Sequence, residues 1–452
     1  MLHSKNVNIT EGPIISSVIT YSIPIIFAGM LQILFNAADL AVVGNFSGTD
    51  ATAAVGATGS IISLIVNTVM GLSVGVNVML ARSIGSRDYE SSHRIVHTSI
   101  AISAISGVIL AVIGILVARP AMVATDCPSA SLEMAVDYMV IYFLGCPGIM
   151  LYNFGSAILR TKGDTRRPLY FLAVSGATNV ILNLFFVALL HLDAAGVALA
   201  TTISQYLGAC LTIRCLMKQE DETRFEIRKI RIYGRELWGI IRYGLPSGIT
   251  NAMYSISNVQ IQSAINSYGE SAVAGNSACV SLEGFVAAGI SALNAATVAF
   301  MGQNIGAEKR ERVRKSFYVC LVLAVIFGMA LGTAMYLLGK PLLHIFLPRD
   351  EEGIKVGLVR AQYVLLSYGI SGAVNVIGGA VQAFGYTTVT MINSVIGVLG
   401  VRTLWMRYIY PLYHSLDTIY ICYPVTWTLI MIANAVVFLI AYTKYRKKGK
   451  VL

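Results

Sequence analysis

Charge is scarce in this chain. Of its 452 residues only 12% are charged, 23 acids against 33 bases, where a soluble globular domain carries about 25%. A water-soluble fold of this length needs more ionic surface than that to stay in solution, so an ordinary soluble enzyme is excluded. Proline is scarce too, at 11 residues, which excludes a collagen-like or proline-rich disordered chain. The seven cysteines form no Cys-x-x-Cys pair and mostly sit in apolar stretches. They read as small packing groups, not as a metal site or a disulfide framework. There is no Walker phosphate loop and no His-Glu-x-x-His, so nothing points to direct ATP drive or a zinc-protease site. The acids within apolar stretches are isolated from one another, with no nucleophile–base or metal cluster beside them, and the chain reads as no enzyme.

What is present is apolar length. Hydrophobic residues make up 56% of the chain, and they fall in charge-free runs such as 12–38, 51–81, 95–118 and 168–192. A helix needs about 20 residues to cross a bilayer core about 30 Å thick. The run 361–401 has 41 residues, about 60 Å at 1.5 Å per residue, and divides near Phe384-Gly385-Tyr386-Thr387. The spacing of the runs predicts an all-α integral membrane protein of twelve transmembrane helices. No short apolar core with a cleavage site precedes the first run, so its helix is expected to be retained. The net charge of +10 lies between the runs and not on a basic face, which fits membrane topology and no nucleic-acid partner. Most Lys and Arg fall in alternate loops on the side holding both termini, including Arg82, Arg87, Arg94, Arg160, Lys162, Lys309 to Lys315 and the tail Lys444 to Lys450. Positive charge concentrates inside, so both termini are expected in the cytoplasm of a cell-membrane protein.

The polar segment 218–242 reads as a cytoplasmic linker between a lobe at 1–217 and a second lobe with a basic tail at 243–452. The halves resemble each other. Pro24 answers to Pro246, and Arg160-Thr-Lys-Gly163 to Gln382-Ala-Phe-Gly385, each 222 residues apart. A shift of six helices preserves the sense of crossing, so two six-helix bundles related by a pseudo-two-fold axis along the membrane normal are expected. Gly71-Leu-Ser-Val-Gly75 matches a hydrolase pattern, but inside a continuous apolar run it reads as close helix packing through small residues.

Several motifs at these places resemble the multidrug and toxic compound extrusion family, within the wider flippase-like exporter superfamily. They are Pro24 and Asp39-Leu-Ala-Val-Val-Gly-Asn45 in and after the first helix, Gly196-Val-Ala-Leu-Ala-Thr201 in the sixth, and Gly302-Gln-Asn-Ile-Gly-Ala307 after the eighth. The resemblance implies a monomeric secondary antiporter that exports cationic or amphipathic compounds in exchange for H⁺ or Na⁺, with no other cofactor. A flippase for lipid-linked saccharides is the alternative, but it calls for a strongly basic cavity and the first helices carry no intramembrane Lys or Arg.

Asp39 is the acid embedded in the first helix, where a carboxylate is costly unless it faces a cavity and has partners. The family's cation site, in its archaeal and bacterial branch, gathers a first-helix Asp, an Asn-x-x-x-Asp pair and a Thr. The matching positions here are Asp39, Asn179, Asn183 and Thr201, with Asn183 standing where the family has a second acid. By resemblance these four form the coupling site for a proton or Na⁺, and Pro24 is a helix bend that answers to it. Gln32 shares a helical face with Asp39 and is a cavity candidate. In the second half Asn258 and Gln262 share a face, and Glu283 is an isolated acid in the eighth helix; all three are candidates for the substrate cavity. Arg402 and Arg407 flank Trp405 in the eleventh helix. Arg407 reaches for the interface, while Arg402 is deeper and has no partner that the sequence names.

Overall fold

The computed structural model describes residues 7–125 and 127–447. Lys5 and the tail residues Lys448 and Lys450 lie outside that range. Among the described residues every regular element is helical. Nine helices are long and apolar enough to cross a membrane, and two bent pairs, Ser131–Leu144 with Cys146–Thr161 and Glu351–Val364 with Tyr368–Ala383, bring the count to eleven. Gly234–Asn266, whose first turns carry Arg235, Glu236 and Arg242, completes the twelve. In chain order the first helix is Ile14–Phe46, the fifth Arg166–Leu189, the sixth Asp193–Met217, the seventh Gly234–Asn266, the eighth Glu270–Gly306, the eleventh Thr387–Tyr413 and the twelfth Leu416–Lys447. The 41-residue run divides where Ala383 closes one helix and Thr387 opens the next.

The internal repeat is visible in the backbone. Gly163 and Gly385, 222 residues apart, both adopt positive φ, +96° and +81°. Each closes a helix with a left-handed turn, a conformation that glycine enters without steric cost. The fourth and tenth helices are the two bent ones, at 44° and 48°. The fifth and eleventh both contain π-helical turns, at Leu184–Leu189 and at Val395–Val401 with Trp405–Ile409.

Two compact units form. One holds Phe27–Gly248, the other Asn8–Ile26 together with the chain from Ile249 on. They do not follow chain order as 1–217 and 243–452 do. The first helix changes unit after Ile26 and the seventh after Gly248, so each cut falls two residues beyond Pro24 or Pro246. The opening segment is held firmly in the second unit. Tyr21 meets Phe300 edge-on at 5.6 Å, Asn304 Nδ2 donates to the Ile9 carbonyl at 3.3 Å, and Arg312 donates to the carbonyls of Ile9, Glu11 and Gly12.

Apolar chains gain no hydrophobic drive from leaving lipid for one another, so helices in a bilayer associate through close packing of small residues. A Cβ on Gly71 would stand 2.1 Å from the Gly248 nitrogen, and one on Gly75 would stand 2.3 Å from the Ile240 carbonyl. The Gly71-x-x-x-Gly75 spacing therefore lets two backbones touch. In the second unit a Cβ on Gly275 would lie 2.0 Å from the Gly353 carbonyl. The polar linker lies against the first unit. Lys162 binds Gln219 and Asp221, the Glu226 amide donates to His97 Nε2 at 3.1 Å, and the Tyr233 amide donates to Thr98 at 3.2 Å. The seventh helix already begins at Gly234, inside the expected linker 218–242, and within 218–233 the one helical element among the described residues is the short turn Ile227–Lys229.

Candidate functional site

In the first unit, three helices bring Asp39, Asn179, Asn183 and Thr201 together. Asn179 and Asn183 are four residues apart on the fifth helix, so their side chains stack on one face. Both are buried, at 5% and 0% exposure. Asn183 Nδ2 donates to Asp39 Oδ1 and, at 3.3 Å, to Asn179 Oδ1. Asn179 Nδ2 in turn donates to Thr201 Oγ1 at 3.2 Å, and Thr201 also bonds the Asp39 carboxylate. The stacked rings of Tyr138 and Tyr142, 6.2 Å apart, lie within electrostatic reach of Asp39. The α-helical winding of the fifth helix stops at Asn183 and becomes π-helical from Leu184, a local irregularity common at functional sites.

The arrangement gathers four oxygen-bearing side chains around one carboxylate. Asp39 is half-buried, and among the described residues the hydrogen bonds to its carboxylate come from neutral groups. Asn183 Oδ1 is buried with no hydrogen-bond partner among the described residues. The oxygens of Asp39, Asn179, Asn183 and Thr201 are hard donors of the kind that hold Na⁺, and a proton on Asp39 would neutralise the same charge. Among the described residues no group of three or more His, Cys, Asp or Glu could hold a metal ion.

The other sequence candidates are more dispersed. The first helix runs unbroken through Pro24, which is buried. Gln32 is exposed and donates to Asn36 at 3.4 Å. In the second unit, Gln262 accepts from Asn276 at 3.0 Å. Asn276 accepts from Arg360 at 2.8 Å, and Arg360 forks onto Glu283 with bonds of 2.6 and 2.9 Å. Gln262 and Glu283 thus belong to one network, and Glu283 is committed to a guanidinium. Tyr420 and Tyr423 pack their rings near that guanidinium, at 5.5 and 5.1 Å. Arg360 escapes a reading by charge-free runs because it stands one residue before the run 361–401 and looks like an interfacial anchor. The tenth helix begins instead at Glu351, which carries Arg360 more than two turns inside. Asn258 accepts from Arg402 at 3.4 Å.

A family model described as MatE matches residues 24–185 and again 246–405, once per half. Two similar proteins are each 25% identical to this chain: "Probable multidrug resistance protein YoeA" of Bacillus subtilis, over 84% of both chains, and "FAD transporter" of Shewanella oneidensis, over 83% of both. Among solved structures, one described as "Crystal structure of MATE in complex with MaL6" superposes with a TM-score of 0.89 at 22% identity. It covers 99% of this chain, which covers 100% of it.

Proposed function

The chain belongs to the MatE family, whose members are transporters and not enzymes, and from that premise we propose that it is a secondary antiporter coupled through Asp39. Similar proteins are named for multidrug resistance and export, which supports multidrug efflux across a membrane. The finer reading is export of cationic or amphipathic small molecules from the cell by a monomer, in exchange for H⁺ or Na⁺. The basic loops on the side of both termini support a cytoplasmic placement of that side.

One observation carries the reading. Asp39 is a lone carboxylate at membrane depth, held by Asn183 and Thr201 and backed by the unpartnered Asn183 Oδ1. With Asp39 charged, Asn183 ties the first helix to the fifth. A cation at the carboxylate competes for that tie, so its binding favours one arrangement of the helices over another. A ligand shifts a conformational equilibrium only by its differential affinity for the two states, and a charge neutralised at low dielectric supplies such a difference. Substrate and ion are then coupled because each favours the opposite arrangement, and the coupling is reciprocal.

The test is ethidium efflux by cells expressing Asp39→Asn, together with transport in proteoliposomes under separately imposed pH and Na⁺ gradients. Efflux should be lost in the variant, and one of the two gradients should drive the parent. Full efflux by Asp39→Asn under an intact gradient would remove the carboxylate from the mechanism.

A further inference from the structure

Two guanidinium groups are buried in the second unit, and they are held differently. Arg360, 4% exposed, has the Glu283 carboxylate at 2.6 and 2.9 Å and Asn276 at 2.8 Å. Arg402, 1% exposed, has no carboxylate partner among the described residues. Its Nε donates to Thr426 at 3.4 Å, and its Nη1 to Ser257 at 3.5 Å and Asn258 at 3.4 Å. Those contacts are long for N–H···O bonds, and every acceptor is neutral. Nη2 is buried and has no hydrogen-bond partner among the described residues. The Tyr423 ring, 4.3 Å from the guanidinium carbon, is the remaining compensation. Arg402 lies near the middle of the span Thr387–Tyr413, where an uncompensated charge is costly and is retained for a use.

The surroundings say what that use is. Arg402–Leu404 is a three-residue α-turn between π-helical segments Val395–Val401 and Trp405–Ile409, and such bulges recur at functional sites. Ser257 Oγ donates to the Val398 carbonyl at 3.0 Å, tying the irregular stretch to the seventh helix. Beside Arg402 the surface is amphipathic. Asn258 and Thr403 are exposed, Thr403 Oγ1 donates to Gln260 at 3.0 Å, and the apolar Val259 and Leu404 are exposed next to them. The repeat adds a further argument. Shifted by 222 residues, Arg402 falls at Val180, one residue after Asn179, so it stands on the stretch of the eleventh helix that answers to the Asn179–Asn183 stretch of the fifth, turned by about 100° from the face of Asn179.

We propose that Arg402 recognises an anionic group, a carboxylate or its equivalent, on an amphipathic substrate that reaches the wall formed by Asn258, Gln260 and Thr403. Nη2 is the free donor, and the fork geometry of a guanidinium suits a carboxylate. The inference rests on the reading of the chain as a small-molecule exporter and narrows its cargo to zwitterions and amphipathic anions alongside cations.

The experiment is equilibrium binding, by fluorescence anisotropy, of a rhodamine bearing a free carboxyl group and of the methyl ester of the same dye to the purified full chain. The parent should prefer the acid. Arg402→Gln should weaken the acid about tenfold, the effect of about 1.4 kcal/mol, and leave the ester within about twofold. Arg402→Lys, which keeps the charge without the fork, should fall between, and Arg407→Gln should change neither dye. Melting curves show that the variants are folded; Arg402→Gln removes an uncompensated charge and should melt no lower than the parent. Equal losses for acid and ester, or no preference in the parent, would make Arg402 a structural brace and overturn the proposal. Ethidium efflux by the same parent separates the two readings. Efflux without acid preference defeats only the anion site, and acid preference lost in Arg402→Gln without efflux defeats only the transport reading.

Discussion

The pair Glu283–Arg360 gives the most quantitative prediction. Both side chains are buried, at 7% and 4% exposure, and joined by two bonds of 2.6 and 2.9 Å. Breaking a buried pair by neutralising one partner typically costs about 3–5 kcal/mol, because the other charge is left unmatched, whereas replacing both by apolar groups is often neutral. Glu283→Gln should cost at least the lower figure, since the same interior already carries Arg402, whose hydrogen bonds among the described residues go only to neutral acceptors. For a domain of 150–250 residues, about 2–4 °C of melting temperature corresponds to 1 kcal/mol, so the variant should melt roughly 10 °C lower. Glu283→Gln with Arg360→Met should recover most of that loss. The measurement is thermal unfolding of the purified chain in one detergent, followed by intrinsic fluorescence, on the parent, both single variants and the double variant. A Glu283→Gln variant that melts with the parent but no longer exports ethidium would refute the reasoning. Glu283 would then be a substrate or proton ligand whose pairing with Arg360 contributes little to the fold.

Three further outcomes follow from the geometry. Asn183→Asp restores a second carboxylate beside Asp39, and proteoliposome transport should become more dependent on an imposed Na⁺ gradient; unchanged ion dependence would count against the four-residue site. Gly71→Ala places a methyl 2.1 Å from the Gly248 backbone, and overpacking of this kind costs about 1–3 kcal/mol, so the variant should melt several degrees lower while Gly59→Ala, which meets nothing within 4 Å, should not. In the linker, burial raises the Asp221 carboxyl, but hydrogen bonds from Lys162 and Thr223 outweigh it and hold it below its ordinary value. Its docking contribution is therefore complete above the ordinary carboxylate range and lost as pH falls through the depressed value. Limited proteolysis of 218–233 should rise on that acid side in the parent, whereas Asp221→Asn should already be cut faster near neutrality.

The helical class and the twelve spans were legible because a bilayer leaves so few options: backbone polar groups must be satisfied within each segment, and charge is excluded from it. Asp39 stands out for a related reason, as an acid inside an apolar run, whereas its grouping with Asn179, Asn183 and Thr201 comes from the family resemblance and not from composition. Arg360 did not stand out, because a charge one residue outside a run looks like an anchor until the start of the helix is known. Arg402 was conspicuous but had no partner that the sequence named, and among the described residues it has no hydrogen bond to an acid. The cuts after Ile26 and Gly248 leave no trace in composition. They depend on which neighbours a helix finds along its length, whereas hydropathy records only that it lies in the membrane.

The cut in the first helix has a consequence for synthesis. Phe300, Asn304 and Arg312, to which residues Asn8–Ile26 are fastened, leave the ribosome nearly three hundred residues after that segment. At about 5–20 residues per second that is a wait of roughly 15–60 s in the bilayer, while the helix containing Asp39 is already free to pair with the fifth. The segment Asn8–Ile26 is thus secured only when the eighth and ninth helices are complete.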